Sequence, residues 1–139
     1  MKVPPLRRQS RELALQVLFQ KEFLPTLDLQ SSLDNFRLSF SAPIDVWKYA
    51  EVLLKGIINN QEGIDQKIES HLQNWTISRL SMVDLNLLRI SVCELFYLED
   101  PVPPAVTINE SMEIAKKYGS SESAKFINGI LDQISKQLG

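Results

Sequence analysis

Residues 80–96, LSMVDLNLLRISVCELF, constrain the fold more than any other stretch. They open with helix-start signals: Ser81 can cap, Leu80 can staple against Leu85, and Asp84 stands where a capping box usually carries Glu or Gln. Val83, Leu87, Leu88, Ile90, Val92, Leu95 and Phe96 then put apolar side chains on nearly every face. A helix that is apolar all round has to be surrounded by others. Arg89 inside it needs a partner, because burying an unpaired guanidinium is prohibitive; Glu94, Glu110 and Asp132 are the candidates.

The remaining chain supplies the surrounding helices. A first helix runs from about residue 8 or 10 to 23, ended by Pro25, with Ala14, Val17 and Leu18 as its core stripe. Arg8, Arg11, Leu15 and Phe19 form a second stripe on it. A second helix spans about 28–40, capped by Asp28. A third runs from 43 to about 59, with Val46, Ala50, Leu53 and Ile57 on one face. Asn59, Asn60, Gln61 and Gly63 then interrupt the pattern, and a fourth helix follows to about residue 74 with Ile64, Ile68, Leu72 and Trp75 as its stripe. No segment alternates with period two. The expectation is an all-α protein of seven helices, in two sub-bundles (about 8–60 and 61–138) packed as one domain. At 139 residues such a domain buries roughly two thirds of its unfolded surface.

The last third holds two helices and a sharp corner, PVPPAVTINESMEIAKKYGSSESAKFINGILD. Pro103 and Pro104 suit a helix entrance, although Thr107 and Glu110 could box a start one turn later. Gly119 offers the left-handed φ that often ends a helix, and Ser120 or Ser121 can cap the next, with Glu122 on its positive end. That helix has an apolar stripe of Ile127, Ile130, Leu131, Ile134 and Leu138. Lys125, Phe126, Asn128, Gly129 and Asp132 lie off it. An interior glycine costs about 1 kcal/mol against alanine, so Gly129 asks for close approach by a ligand, another backbone or a packed helix. A ring between a lysine and an amide suits a single-stranded base; it also suits one more core contact.

The formal net charge of −2 argues against a protein that coats nucleic acid by bulk charge. Any such contact must be local, and the first twelve residues offer one. Lys2, Arg7, Arg8 and Arg11 precede the first acid, Glu12. Arginines at a helix start oppose the macrodipole by ~0.3–1 kcal/mol each, so local stability does not explain them. Phosphate binding would. A solvated basic end, with Arg11 paired to a distant acid, is the alternative.

The strings Val106-Thr107-Ile108-Asn109-Glu110 and Lys125-Phe126-Ile127-Asn128-Gly129-Ile130-Leu131-Asp132, with the lysines, Tyr118 and Gly119 between them, closely resemble the bacterial NusB family of transcription antitermination factors. The likeness extends weakly along the chain through Asn74-Trp75, Arg79, Asp84, Leu88-Arg89 and Glu94-Leu95. It implies an all-α fold and no catalysis. It implies pairing with NusE, a small-subunit ribosomal protein, binding of the boxA element of nascent ribosomal RNA, and loading of an antitermination complex on RNA polymerase. By that resemblance Arg7, Arg8 and Arg11 hold phosphates and Phe126 stacks on a base. Lys125, Asn128 and Asp84 lie nearby, and Glu122 sits where charge near the RNA matters.

Other chemistry lacks a signature. There is no Gly-rich phosphate loop, no His-Glu-x-x-His and no cysteine pair at zinc spacing, so neither a cofactor, a metal nor an enzyme is expected. His71 stands alone, and Cys93 has no disulfide partner in the chain. No apolar run approaches the ~20 residues that span a bilayer, and a cytoplasmic location is expected. A helical protein–protein adaptor without RNA is the competing reading, and a homodimer stays open.

Overall fold

A computed structural model describes residues 5–73 and 76–138, and it is helical throughout those residues apart from turns. Lys2, Asn74 and Trp75, which the sequence reading used, lie outside the described residues. Six α-helices follow in order: α1 Leu6–Phe23, α2 Leu29–Ser39, α3 Ile44–Glu69, α4 Met82–Phe96, α5 Pro104–Tyr118 and α6 Ser121–Ser135. Short 3-10 turns, Ile77–Arg79 and Lys136–Leu138, precede α4 and follow α6.

The starts follow the capping signals. Asp28 Oδ1 accepts from the Ser31 amide at 2.7 Å, Ser81 Oγ from Asp84 at 3.1 Å, and Ser120 Oγ from Ser123 at 3.0 Å. α5 begins at Pro104, with no later box: Thr107 is buried and Glu110 is turned toward α1. Gly119 ends α5 at φ −120°, outside the left-handed region. Space explains it instead. A Cβ there would stand 2.9 Å from Ser123 Oγ and 3.0 Å from the Ala115 carbonyl oxygen.

Seven expected helices become six because α3 does not break at Asn59–Gly63. It kinks at Asn60 (φ −130°, ψ 19°), whose side-chain amide donates to the Gly56 carbonyl at 2.8 Å. Ile57, Ile64 and Ile68 keep one buried face through the kink, so the core holds the helix together. Gly63 is a packing position. A Cβ on it would meet the Tyr97 hydroxyl at 2.6 Å, and one on Gly56 would meet Cys93 Sγ at 2.6 Å. The two glycines, one heptad apart, let α3 lie close against the end of α4. The expected divide between residues 8–60 and 61–138 falls inside α3.

α4 is the central element. Leu87, Leu88, Ile90, Val92 and Cys93 are buried, and α1, α3, α5 and α6 all pack on it. Arg89 escapes isolation, but not through Glu94, Glu110 or Asp132. Its Nε and Nη2 donate to Asp65 at 2.9 and 3.0 Å, and its Nη1 donates to Asn86 at 3.2 Å and to Glu22 at 3.4 Å. Five helical residues separate Arg89 from Glu94, about 140° around the axis, so the two point to different neighbours.

Candidate nucleic-acid interface

The expected site residues form two groups. The first gathers where the start of α1 meets α5. Arg7 is exposed, and its guanidinium lies 4.2 Å from the centroid of the Tyr49 ring. Arg8 is half-buried and forks onto Glu110: Nε donates to Oε1 at 2.8 Å and Nη2 to Oε2 at 2.6 Å. That hydrogen bond holds the Glu110 carboxyl below its ordinary pKa and raises that of Arg8. Beside the pair is an open cleft of about 620 Å³ lined by Pro5, Arg7, Val102, Pro103, Val106 and Glu110.

Arg11 takes the pairing alternative. It is 3% exposed, and its Nε donates to both oxygens of Glu94 at 3.0 Å. Glu94, fully buried, also accepts from Thr107 Oγ1 at 3.3 Å and from the Tyr49 hydroxyl. One carboxylate on α4 thus gathers donors from α1, α3 and α5. Burial, and then the charge of Glu94, push the Tyr49 hydroxyl well above its ordinary pKa, so it remains a donor. A second edge of Arg11, Nη1, lies 3.5 Å from Glu110 Oε1. Tyr49, Thr107 and the Glu94 pairing were not read from the sequence. The signal available was Glu94 itself, an acid in an otherwise apolar helix.

The second group lies on α6. Glu122, Lys125 and Asn128 are exposed, and among the described residues their side chains make no hydrogen bond or ion pair. Phe126 is half-buried and packs against the core. Gly129 is exposed, and a Cβ on it would meet nothing within 4 Å. Helix packing inside the chain therefore does not explain that glycine. Asp84 is apart from both groups, in the first turn of α4. Its Oδ1 is shielded from solvent without a protein donor, in the favourable field of the helix start.

α5 and α6 fold back on each other through Gly119 and Ser120. At 1.5 Å per residue, Glu110 and Phe126 stand roughly 12 and 8 Å from that corner along their helices. Glu110 and Phe126 thus stand on the two arms of one hairpin. Among the described residues no hydrogen bond, ion pair or ring contact joins them.

Fold and site define a class: an all-helical scaffold with cationic and aromatic groups at its surface and, among the described residues, no group of three or more metal-ligating side chains. Among the described residues no helix is long and apolar enough to cross a membrane. The NusB family model matches residues 8–136. The transcription antitermination protein NusB of Bdellovibrio bacteriovorus is 46% identical over 130 residues, covering 94% of this chain and 95% of that protein. The solved structure of T. maritima NusB superposes with a TM-score of 0.85 at 40% identity, over 99% of this chain and 94% of that one. A crystal structure of antitermination factors NusB and NusE in complex with dsRNA is similar over 95% of this chain and 97% of its own, with a TM-score of 0.82 at 29% identity. The chain belongs to the NusB family.

Proposed function

We propose that this protein is a transcription antitermination factor that acts without catalysis in the cytoplasm. Paired with NusE, it binds the boxA element of nascent ribosomal RNA and helps assemble an antitermination complex on RNA polymerase. Family membership and the likeness to a NusB–NusE–RNA complex support this reading. The observation that carries it is the half-buried ring of Phe126 on an α6 surface where Lys125 and Asn128 are exposed and unpaired. The exposed part of that ring can meet a base, at ~1–3 kcal/mol per stacked base. Arg7 and Arg8 take phosphates, Asp84 offers an acceptor to a base amino group, and Glu122 tunes the local charge. Arg11 serves from inside, through its contact with Glu110, the acid that orients Arg8.

So few free cations give modest affinity alone, and sharing one RNA with NusE raises the effective concentration of each contact. Filter binding of the purified chain to boxA and scrambled RNA, with and without NusE, tests the reading. Phe126→Ala will weaken boxA binding by the pair about tenfold without unfolding the protein. Equal binding of both RNAs would favour the adaptor, and an unchanged dissociation constant for the variant would remove Phe126 from the site.

A further inference from the structure

The three arginines at the start of α1 do not add up to a triply charged patch. Arg8 and Arg11 face Glu94 and Glu110 in one bonded cluster of two cations and two anions. Only Arg7 lies against a neutral group, the Tyr49 ring. A phosphate approaching this end of the molecule meets one uncompensated guanidinium, and a second that is already engaged.

We propose that Glu110 is a competing ligand for Arg8: it holds that guanidinium in the free protein, yields it to an RNA phosphate, and passes to Arg11 when Arg8 leaves. This rests on the RNA reading above and adds to it a residue that sets affinity.

Three features carry the exchange. The Arg8 side chain is 28% exposed and that of Arg11 is 3% exposed, so Arg8 is the one that can move. Arg8 spends two of its five N–H donors on Glu110, and the rest of its fork is free to engage a phosphate. Glu110 is not stranded by the departure, because Arg11 Nη1 already stands 3.5 Å from its Oε1. Arg11 in turn stays fixed by Glu94. The carboxylate therefore shortens its distance to a buried cation as the exposed cation swings out. An anion left without any partner would oppose the swing, and this arrangement removes that obstacle.

The test uses the full chain with NusE, titrated against boxA RNA over a series of KCl concentrations. Glu110→Gln keeps the shape of the side chain and removes the competition. It will tighten binding about two- to fivefold, the range expected for a partly exposed ion pair. The slope of log affinity against log salt will stay as in the wild type, because Arg8 meets the phosphate in both proteins, whereas Arg8→Gln will flatten it by up to ~0.7. Glu110→Ala will tighten binding as Glu110→Gln does, which guards against a fold-specific effect of the amide. Both gains must vanish in an Arg8→Gln background, because they act through Arg8. Glu113→Gln, on the same helix, acts on Arg8 by charge without a hydrogen bond to it, and must give a smaller gain than Glu110→Gln. Unchanged or weaker binding by Glu110→Gln, or an equal gain without Arg8, overturns the competition. If the wild type still prefers boxA and loses affinity on Phe126→Ala, that failure leaves the RNA reading standing. If the wild type binds no RNA, both fall.

Discussion

Replacing Arg11 by methionine separates a buried structural arginine from an RNA-contacting one. The change keeps an unbranched apolar stem and leaves Glu94, fully buried, without its guanidinium. Breaking a buried ion pair by removing one partner costs about 3–5 kcal/mol. The Tyr49 and Thr107 hydroxyls still donate to Glu94, which puts this case near the lower end, about 3 kcal/mol. For a chain of this size that lowers the melting temperature by about 6–12 °C. With a urea dependence of ~2 kcal/mol per molar, the midpoint falls by ~1.5 M. Circular dichroism during heating and urea titration reads both. Arg11→Met combined with Glu94→Leu will recover part of the loss, since an apolar pair tolerates the site better than a lone carboxylate. A single variant that melts with the wild type but binds RNA weakly, with a flatter salt slope, would refute the reasoning. Arg11 would then be a surface cation on phosphate, and the Glu94 cluster would not be what anchors α1.

Three further outcomes are expected. Gly56→Ala will destabilise by about 1–3 kcal/mol in urea titrations, because its methyl would overlap Cys93 Sγ, and the penalty will be smaller in a Cys93→Ala background. Gly129→Ala meets no neighbour and will stabilise the free protein by about 0.5–1 kcal/mol in thermal melts; a simultaneous loss of RNA or NusE binding would show that something from outside approaches that backbone. The Arg8 hydrogen bond holds the Glu110 carboxyl below its ordinary pKa, so the folded state gains from ionised Glu110 above the usual carboxylate range and loses that gain as pH falls through the lowered value. Melts from pH 7 downward will therefore show the stability gap between wild type and Glu110→Gln closing below about pH 4.3.

The helical class, the caps at Asp28, Ser81 and Ser120, and the enclosure of α4 were legible because each depends on local chemistry or short-range periodicity. The unbroken α3 was half legible. Asn59 to Gly63 read as a stop, yet the seven-residue step from Ile57 to Ile64 already continued the buried face. Arg11 shows the limit for the site. It falls on the stripe of Arg8, Leu15 and Phe19, but it also stands three residues before Ala14 and seven before Leu18, in register with the core. Its charge suggested solvent; its register indicated the interior. The deciding partner, Glu94, is 83 residues away, and no local pattern announces a contact of that span. The polar face of α6 was legible from the apolar stripe beside it, since Glu122, Lys125 and Asn128 fall off that stripe and are exposed.

The continuity of α3 bears on how this protein can be cut. A deletion or a proteolytic nick at the apparent boundary near residue 60 would not release two working halves. It would open a rod about 39 Å long at its one bend and uncover Ile57, Ile64 and Ile68, each fully shielded in the intact molecule. Fragments trimmed there would carry a greasy, self-associating end, so truncation mapping of binding surfaces should trim the termini and leave the middle of the chain whole.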